Sequence, residues 1–342
     1  MLVGKKWYRS VWFSKGKIYL IDQRKLPFKF EIFVARNYKD VVYAIKEMVV
    51  RGASAISATA SYGIAQAELQ GKTRIAADLI KNARPTARDL GYAVEYMLSF
   101  IKKKKGEKNF KEELIREANK YADSIVEKCK KIGEYGKKLI KNNAKIMTHC
   151  NAGWLASVDW GTVTSSIYIS KREGKEIFVY VSETRPRLQG AMLTAWELAN
   201  EKIEHKIICD SASAFFMKDV DFIIVGADRV ARNGDVANKI GTLEKAIIAK
   251  EYGIPFYVAT SLNSFDYNCK TGKEIPIEFR KEDEVLIVRG KRIADKRCKA
   301  LNPAFDVTPG KYIKGIITEY GIFKPSELKN VWLSKYGRNR KV

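Results

Sequence analysis

The sequence predicts an α/β protein, with a mainly helical N-terminal domain carrying a small β element and a C-terminal Rossmann-like parallel sheet. Three observations predict it. After Ala144, the short apolar runs AKIMTHC, EIFVYVSET, HKIICDSA, VDFIIVGAD and IPFYVATS alternate with helical patterns such as GAMLTAWELANEK and LEKAIIAKEYG. Strands alternating with helices imply a parallel sheet covered on both faces. Before Ala144 the helical period dominates, and the first residues alternate apolar and polar around a Lys-Gly turn, which reads as a hairpin. The change of pattern divides the chain into a domain over 1–140 and a Rossmann-like domain over 141–342.

From the N-terminus, WYRSVWFSKGKIYLIDQRKLP supplies the hairpin. NYKDVVYAIKEMVVRG is amphipathic and reads as a helix ending at Gly52. ASAISATASYGIAQAELQG is rich in small residues, which suits close helix packing and close approach to a ligand equally. Arg51 at this junction is either a surface charge or an anion clamp acting with neighbouring N–H groups. Pro85, preceded by Arg84, is placed to open the next helix. FKEELIREANKYADSIVEKCKKIGEYGKKLIKNN then holds an amphipathic period for about thirty residues.

In the second half the strand ends collect polar or small residues: His149-Cys150-Asn151, Glu183-Thr184-Arg185, Asp210-Ser211, Asp228 and Thr260-Ser261. In open parallel sheets that edge binds ligands. The stretch DFIIVGADRVARNGDVANKIGT is the most informative. Phe222 to Val225 reads as a strand buried on both faces, and Asp228 stands where it runs out as a semi-buried carboxylate. Asn233, Gly234 and Asp235 form a turn cluster. Asn238, Lys239, Gly241 and Thr242 then lead into a helix, an arrangement suited to cradling a phosphate. No G-x-G-x-x-G occurs, so a dinucleotide is not supported.

Bulk properties narrow the classes. The 63 Lys and Arg against 39 Asp and Glu give a net charge of +24. The cations are dispersed, apart from IKKKKGEKNFK and the tail KYGRNRKV, and no nucleic-acid motif accompanies them. A lysine-rich solvated surface, as in proteins from hot environments, is favoured over nucleic-acid binding. No apolar run is long enough for a membrane helix, and the first residues lack a signal-peptide core, so a cytoplasmic protein is expected. Five cysteines without a C-x-x-C pair, and two histidines, argue against structural zinc.

VRGASAI, NARPTA, THCNAG, SETRPRLQGAMLTAWEL, VGADRVARNGDVANKIGT, IPFYVA and NPAFDVTP together resemble the methylthioribose-1-phosphate isomerase family, in the same order over nearly the whole chain. The resemblance extends to archaeal ribose-1,5-bisphosphate isomerase and to the regulatory subunits of the initiation-factor guanine-nucleotide exchanger. It implies a homodimer with a sugar-phosphate substrate, an active site between the domains, and neither metal nor cofactor. It implies Cys150 and Asp228 as the catalytic pair. Arg51, Gly52, Ala53, Arg84, Gln189, Asn238 and Lys239 become substrate contacts.

The chemistry is compatible with those residues. A phosphate on C1 blocks simple ring opening, so the ring oxygen needs an acid and a proton must pass from C2 to C1. Burial would raise the Asp228 pKa enough for an acid role. A helix starting in AGWLASV would lower that of the Cys150 thiol. The order of the proton steps stays open, and a hydride shift is an alternative. The chain departs from the family pattern at Asp159-Trp160-Gly161, Arg88-Asp89, Met192 and Ser261 to Asp266. These leave the substituent on C5 open between methylthio, hydrogen and phosphate. A non-catalytic regulatory subunit is the reading of another class.

Overall fold

A computed structural model describes residues 1–84, 88–288 and 290–337. Pro85, expected to open a helix, and the end of the basic tail lie outside the described residues. The chain forms two compact units, one of 1–131 with 151–165, the other of 132–150 with 166–342.

The first unit holds a three-stranded antiparallel sheet, Val11–Ser14, Lys17–Ile21 and Ile32–Ala35. Its hairpin turns at Lys15 and Gly16, both with positive φ, the twist that two-residue hairpins favour. The third strand was not anticipated, because Phe and Lys residues around it blur the alternation. The helices Tyr38–Lys46, Ala53–Leu69, Thr73–Lys81 and Arg88–Lys104 follow. The first ends at Lys46 rather than Gly52. Met48 adopts a left-handed conformation (φ 56°), and the Val49 carbonyl accepts the Gln23 N–H at 2.9 Å, so the chain there is tied to the turn that follows the second strand.

Ala53–Leu69 is the central helix of this unit and is buried over nearly its whole length. Its small residues permit that. A Cβ on Gly63 would stand 2.9 Å from a Val41 methyl. The segment 151–165 packs into the same unit as an irregular strap rather than the expected helix, with one 3-10 turn over Trp154–Ala156. The Leu155 carbonyl accepts from Gln23 Nε2 at 2.8 Å, and Trp154 is fully buried. Seven residues are too few to nucleate a helix against such tertiary bonds.

The second unit is built on a seven-stranded sheet in the order Gly321–Phe323, Gly315–Thr318, Phe256–Ala259, Phe222–Val225, Ala144–Thr148, Ile177–Ser182, Glu204–Ile208. Every neighbouring pair is parallel except the first. All four residues of Phe222–Val225 are buried, as the apolar run predicts. The 27-residue helix Phe110–Gly136 precedes this sheet. A second sheet, ordered Phe265–Asp266, Arg229–Ala231, Val236–Lys239, Phe305–Thr308, belongs to the same unit. Here Asn233-Gly234-Asp235 is the turn of a hairpin, so Asn238 and Lys239 lie on a strand and not in the expected loop. Asn and Lys are weak strand formers, and pairing with Phe305–Thr308 overrides them.

Gly161 has φ 77°, and a Cβ there would lie 2.3 Å from the Gly153 carbonyl carbon and 2.6 Å from Thr164 Oγ1. Gly161→Ala is therefore expected to cost about 2 kcal/mol or more. A thermal melt should show the fall, and an unchanged melting temperature would contradict this account of the strap.

Candidate active site

Sheet order locates the site. From Ala144–Thr148 the chain steps outward through Ile177–Ser182 to Glu204–Ile208, then returns to pair Phe222–Val225 on the other side of the first strand. The order reverses between Ala144–Thr148 and Phe222–Val225, the topological switch point where such sheets open a crevice beyond the carboxyl ends of their strands. Cys150 follows the first of these two strands and Asp228 the second. They pair in parallel, Ile146 with Phe222 and Met147 with Ile223, and Thr148 Oγ1 donates to the Ile224 carbonyl at 2.8 Å.

Cys150 is half-buried with φ 65°, a left-handed conformation uncommon outside glycine. Both sides of its backbone are held. Its N–H donates to Thr184 Oγ1 at 2.9 Å, and its carbonyl accepts from Thr194 Oγ1 at 2.6 Å. Thr184 is itself left-handed (φ 67°) and fully buried. Its N–H and that of Arg185 donate to the Asp210 carboxylate at 2.9 and 2.6 Å. No helix starts at Cys150, so the expected helix effect on the thiol is absent.

His149 is buried beside it. Its Nε2 donates to the Ile240 carbonyl at 2.8 Å, which assigns the hydrogen to that nitrogen, and Nδ1 faces Thr184 Oγ1 at 3.4 Å. Burial, with the Lys245 charge adding, drives its pKa down to about 3. Asp210 Oδ1 lies 3.8 Å from Nδ1. That is beyond hydrogen bonding, and the neutral ring makes no ion pair there.

Asp228 is exposed rather than semi-buried. Its N–H donates to the Ala237 carbonyl at 2.9 Å, fixing it to the hairpin strand that carries Asn238 and Lys239. Ala227 and Asp228 stand clear of the apolar run, which explains why burial ends before the carboxylate. Asn238 is buried and donates to Thr242 Oγ1 at 3.1 Å, and Lys239 donates to the Ala304 carbonyl at 2.9 Å. Gln189 is 8% exposed, and its buried Oε1 meets no protein donor. It immediately precedes a π-helical turn, Gly190–Thr194, a distortion frequent at functional sites.

The helix Thr242–Glu251 opens at Gly241 (φ 95°) but offers no free anion cradle. The N–H groups of Gly241 and Leu243 donate to the Asp306 carboxylate at 2.7 and 3.1 Å. Burial raises the Asp306 pKa to about 6 even though these donors favour its charged form. In the first unit the contrast is direct. Gly52 (φ 92°) opens the helix Ala53–Leu69 with no side-chain cap and no acidic residue in the first turn. A Cβ on Gly52 would lie 2.2 Å from the Ala156 carbonyl oxygen, so only glycine fits. Arg51 precedes it, half-buried, and Arg84 is half-buried too. Arg51, Gly52, Ala53 and Arg84 thus belong to one unit, and Cys150, Gln189, Asp228, Asn238 and Lys239 to the other.

With this geometry in view, the comparisons are specific. The model of the initiation factor 2 subunit family matches residues 47–325. The methylthioribose-1-phosphate isomerase of Thermoanaerobacter sp. is 48% identical, covering 94% of this chain and 98% of that one. The Aquifex aeolicus protein of the same name is 45% identical over 95% of this chain and 71% of its own. The chain belongs to the methylthioribose-1-phosphate isomerase family. Among solved structures of this family's fold, the 5-methylthioribose 1-phosphate isomerase of Pyrococcus horikoshii superposes with a TM-score of 0.90 at 40% identity, covering 98% of this chain and 97% of that one. A structure from A. fulgidus described as translation initiation factor eIF-2B, subunit delta, reaches 0.87 at 41% identity, covering 95% and 98%.

The sequence reading overlooked Asp306 and Lys245 in this family member. Asp306 is hidden because its role is to reach a helix end 63 residues away in sequence. Lys245 sits inside a helix pattern that is charged all round.

The buried neutral ring of His149 couples folding to pH. Its folded pKa lies below the unfolded value near 6.5, so the stability of the neutral ring is present above pH 6.5 and lost as pH falls toward 3. The loss is about 1.4 kcal/mol per pH unit in that window. Urea unfolding of His149→Gln between pH 7 and 5 should show a shallower acid dependence than the parent. An identical slope would refute the buried neutral imidazole.

Proposed function

We propose that this protein converts 5-methylthioribose 1-phosphate to 5-methylthioribulose 1-phosphate in methionine salvage, an aldose–ketose isomerisation in which Cys150 and Asp228 move the protons. The observation carrying this reading is that these two residues leave neighbouring parallel strands at the switch point of the sheet. The relatives named above support the substrate class.

In this reading the anomeric phosphate is held by Arg51 and the open N–H groups at the Gly52-Ala53 helix start, where the dipole favours an anion. Arg84, Gln189, Asn238 and Lys239 complete the binding of the sugar. The unpartnered Gln189 Oε1 suits a sugar hydroxyl, which would donate to it. Protonation of the ring oxygen accompanies cleavage of its bond to C1. Loss of the C2 proton then gives an enol between C1 and C2. A proton delivered to C1 and one lost from the C2 hydroxyl complete the ketose, with no net change in atoms or electrons. A C2-to-C1 hydride shift after ring opening gives the same product, and labelled solvent distinguishes the two. The exposed Asp228 lacks the shielding that an acid at neutral pH needs. Bound sugar has to supply it.

The reading also takes the protein as a cytoplasmic homodimer that needs neither metal nor cofactor and has no nucleic-acid partner. Among the described residues no helix is long and apolar enough to cross a membrane. A second reading, a regulatory subunit without catalysis, is favoured by the A. fulgidus structure and its printed description. Ribose 1,5-bisphosphate is the competing substrate.

Incubation with each sugar phosphate, followed by detection of ketose, decides among them. Ketose is expected from 5-methylthioribose 1-phosphate, and Cys150→Ser and Asp228→Asn should each lower kcat by about a thousandfold or more with the fold intact. Arg51→Ala should instead raise KM by about tenfold or more. Absence of ketose from either sugar, or near-parental rates in both catalytic variants, would overturn the assignment.

A further inference from the structure

Lys245 is fully buried, one turn into the helix Thr242–Glu251. Its ammonium lies 3.5 Å from the Gly241 carbonyl oxygen, a long and weak contact for a buried cation. Desolvation lowers its pKa, and the opposing influences come from Asp210, Glu244 and Asp306. His149 faces the same pocket: a Cβ on Gly241 would be 3.3 Å from the imidazole and 3.7 Å from the ammonium. Lys239 also acts on that imidazole.

Two of these carboxylates do similar work. Asp210 holds the N–H groups of Thr184 and Arg185, and the Thr184 hydroxyl holds the Cys150 N–H. Asp306 holds the N–H groups of Gly241 and Leu243, just beyond Asn238 and Lys239. Each carboxylate pins a loop that carries residues of the proposed site. A buried lysine is a costly way to fill a core, since an apolar side chain of the same length would pack there at no desolvation cost.

We propose that Lys245 is a positioning residue, a buried cation seated against the Gly241 carbonyl beside His149, which keeps the loops held by Asp210 and Asp306, Thr184–Arg185 and Gly241–Leu243, in register with Cys150 and Asn238. It touches no reacting atom. This proposal rests on the isomerase reading for its kinetic arm only.

The test is Lys245→Met, which keeps length and removes charge, with Asp210→Asn and the double variant beside it. The proposal expects a melting temperature equal to or above the parent's, because a desolvated charge has gone. It expects kcat per folded molecule to fall by about tenfold or more, since small misplacements of catalytic groups are costly. In the double variant kcat should be no more than about threefold below the worse single, because both changes break one network. Fast amide exchange should appear at Thr184, Arg185, Gly241 and Leu243 in Lys245→Met. Parental kcat with parental exchange overturns the proposal, as do fully multiplicative effects in the double variant. Failure of both Lys245→Met and Lys245→Gln to fold assigns the residue to stability alone, which also overturns it. If the parent protein forms no ketose, the isomerase reading fails, and the exchange measurement still decides whether Lys245 pins the two loops.

Discussion

The pairing of Ala144–Thr148 with Phe222–Val225 is the constraint on which the rest of the second unit depends. It joins strands 76 residues apart in register at Ile146–Phe222 and Met147–Ile223, and the Thr148 hydroxyl bonds across the seam to the Ile224 carbonyl. A slip of one residue would turn every side chain of the strand to the opposite face. It would change the offset of Cys150 and Asp228 along the edge. The two half-sheets that grow outward from this seam supply the other loops, Thr184 from one side and Thr260 from the other.

Much of this was legible in the sequence. The five apolar runs after Ala144 became five strands of the parallel sheet because each is short and bounded by polar strand ends. The hairpin turn at Lys15-Gly16 was readable for the same local reason. What escaped were features decided by distant partners. The strand Val236–Lys239 is held by Phe305–Thr308, the strap at Trp154 is held by Gln23, and neither partner is visible in a window of ten residues. The strap takes with it the helix once expected to activate the thiol.

The candidate site shows the same division. Cys150 and Asp228 are visible as polar strand ends, but their roles, and Gln189 altogether, come from the family resemblance. Whether Asp228 is shielded could not be read, since exposure depends on where the hairpin after Val225 leads the chain. Asp306 was out of reach as well: it occupies the helix start that Gly241 and Thr242 seemed to open, whereas the start at Gly52 has no side-chain cap. The polar cluster of His149, Asp210, Lys245 and Asp306 costs solvation, and that cost sits next to the residues whose geometry matters most.

The left-handed backbone at Cys150 restricts how this position can drift over evolutionary time. A β-branched side chain is rare in that region, and Thr184 holds it beside Cys150 only with its N–H on Asp210 and its hydroxyl on the Ser182 carbonyl. Serine, alanine, asparagine and glycine fit the torsion. Aspartate and histidine take it too, and both ionise, but neither is a thiol. A replacement at this point therefore has to satisfy the backbone torsion as well as the chemistry, which narrows the changes the position tolerates.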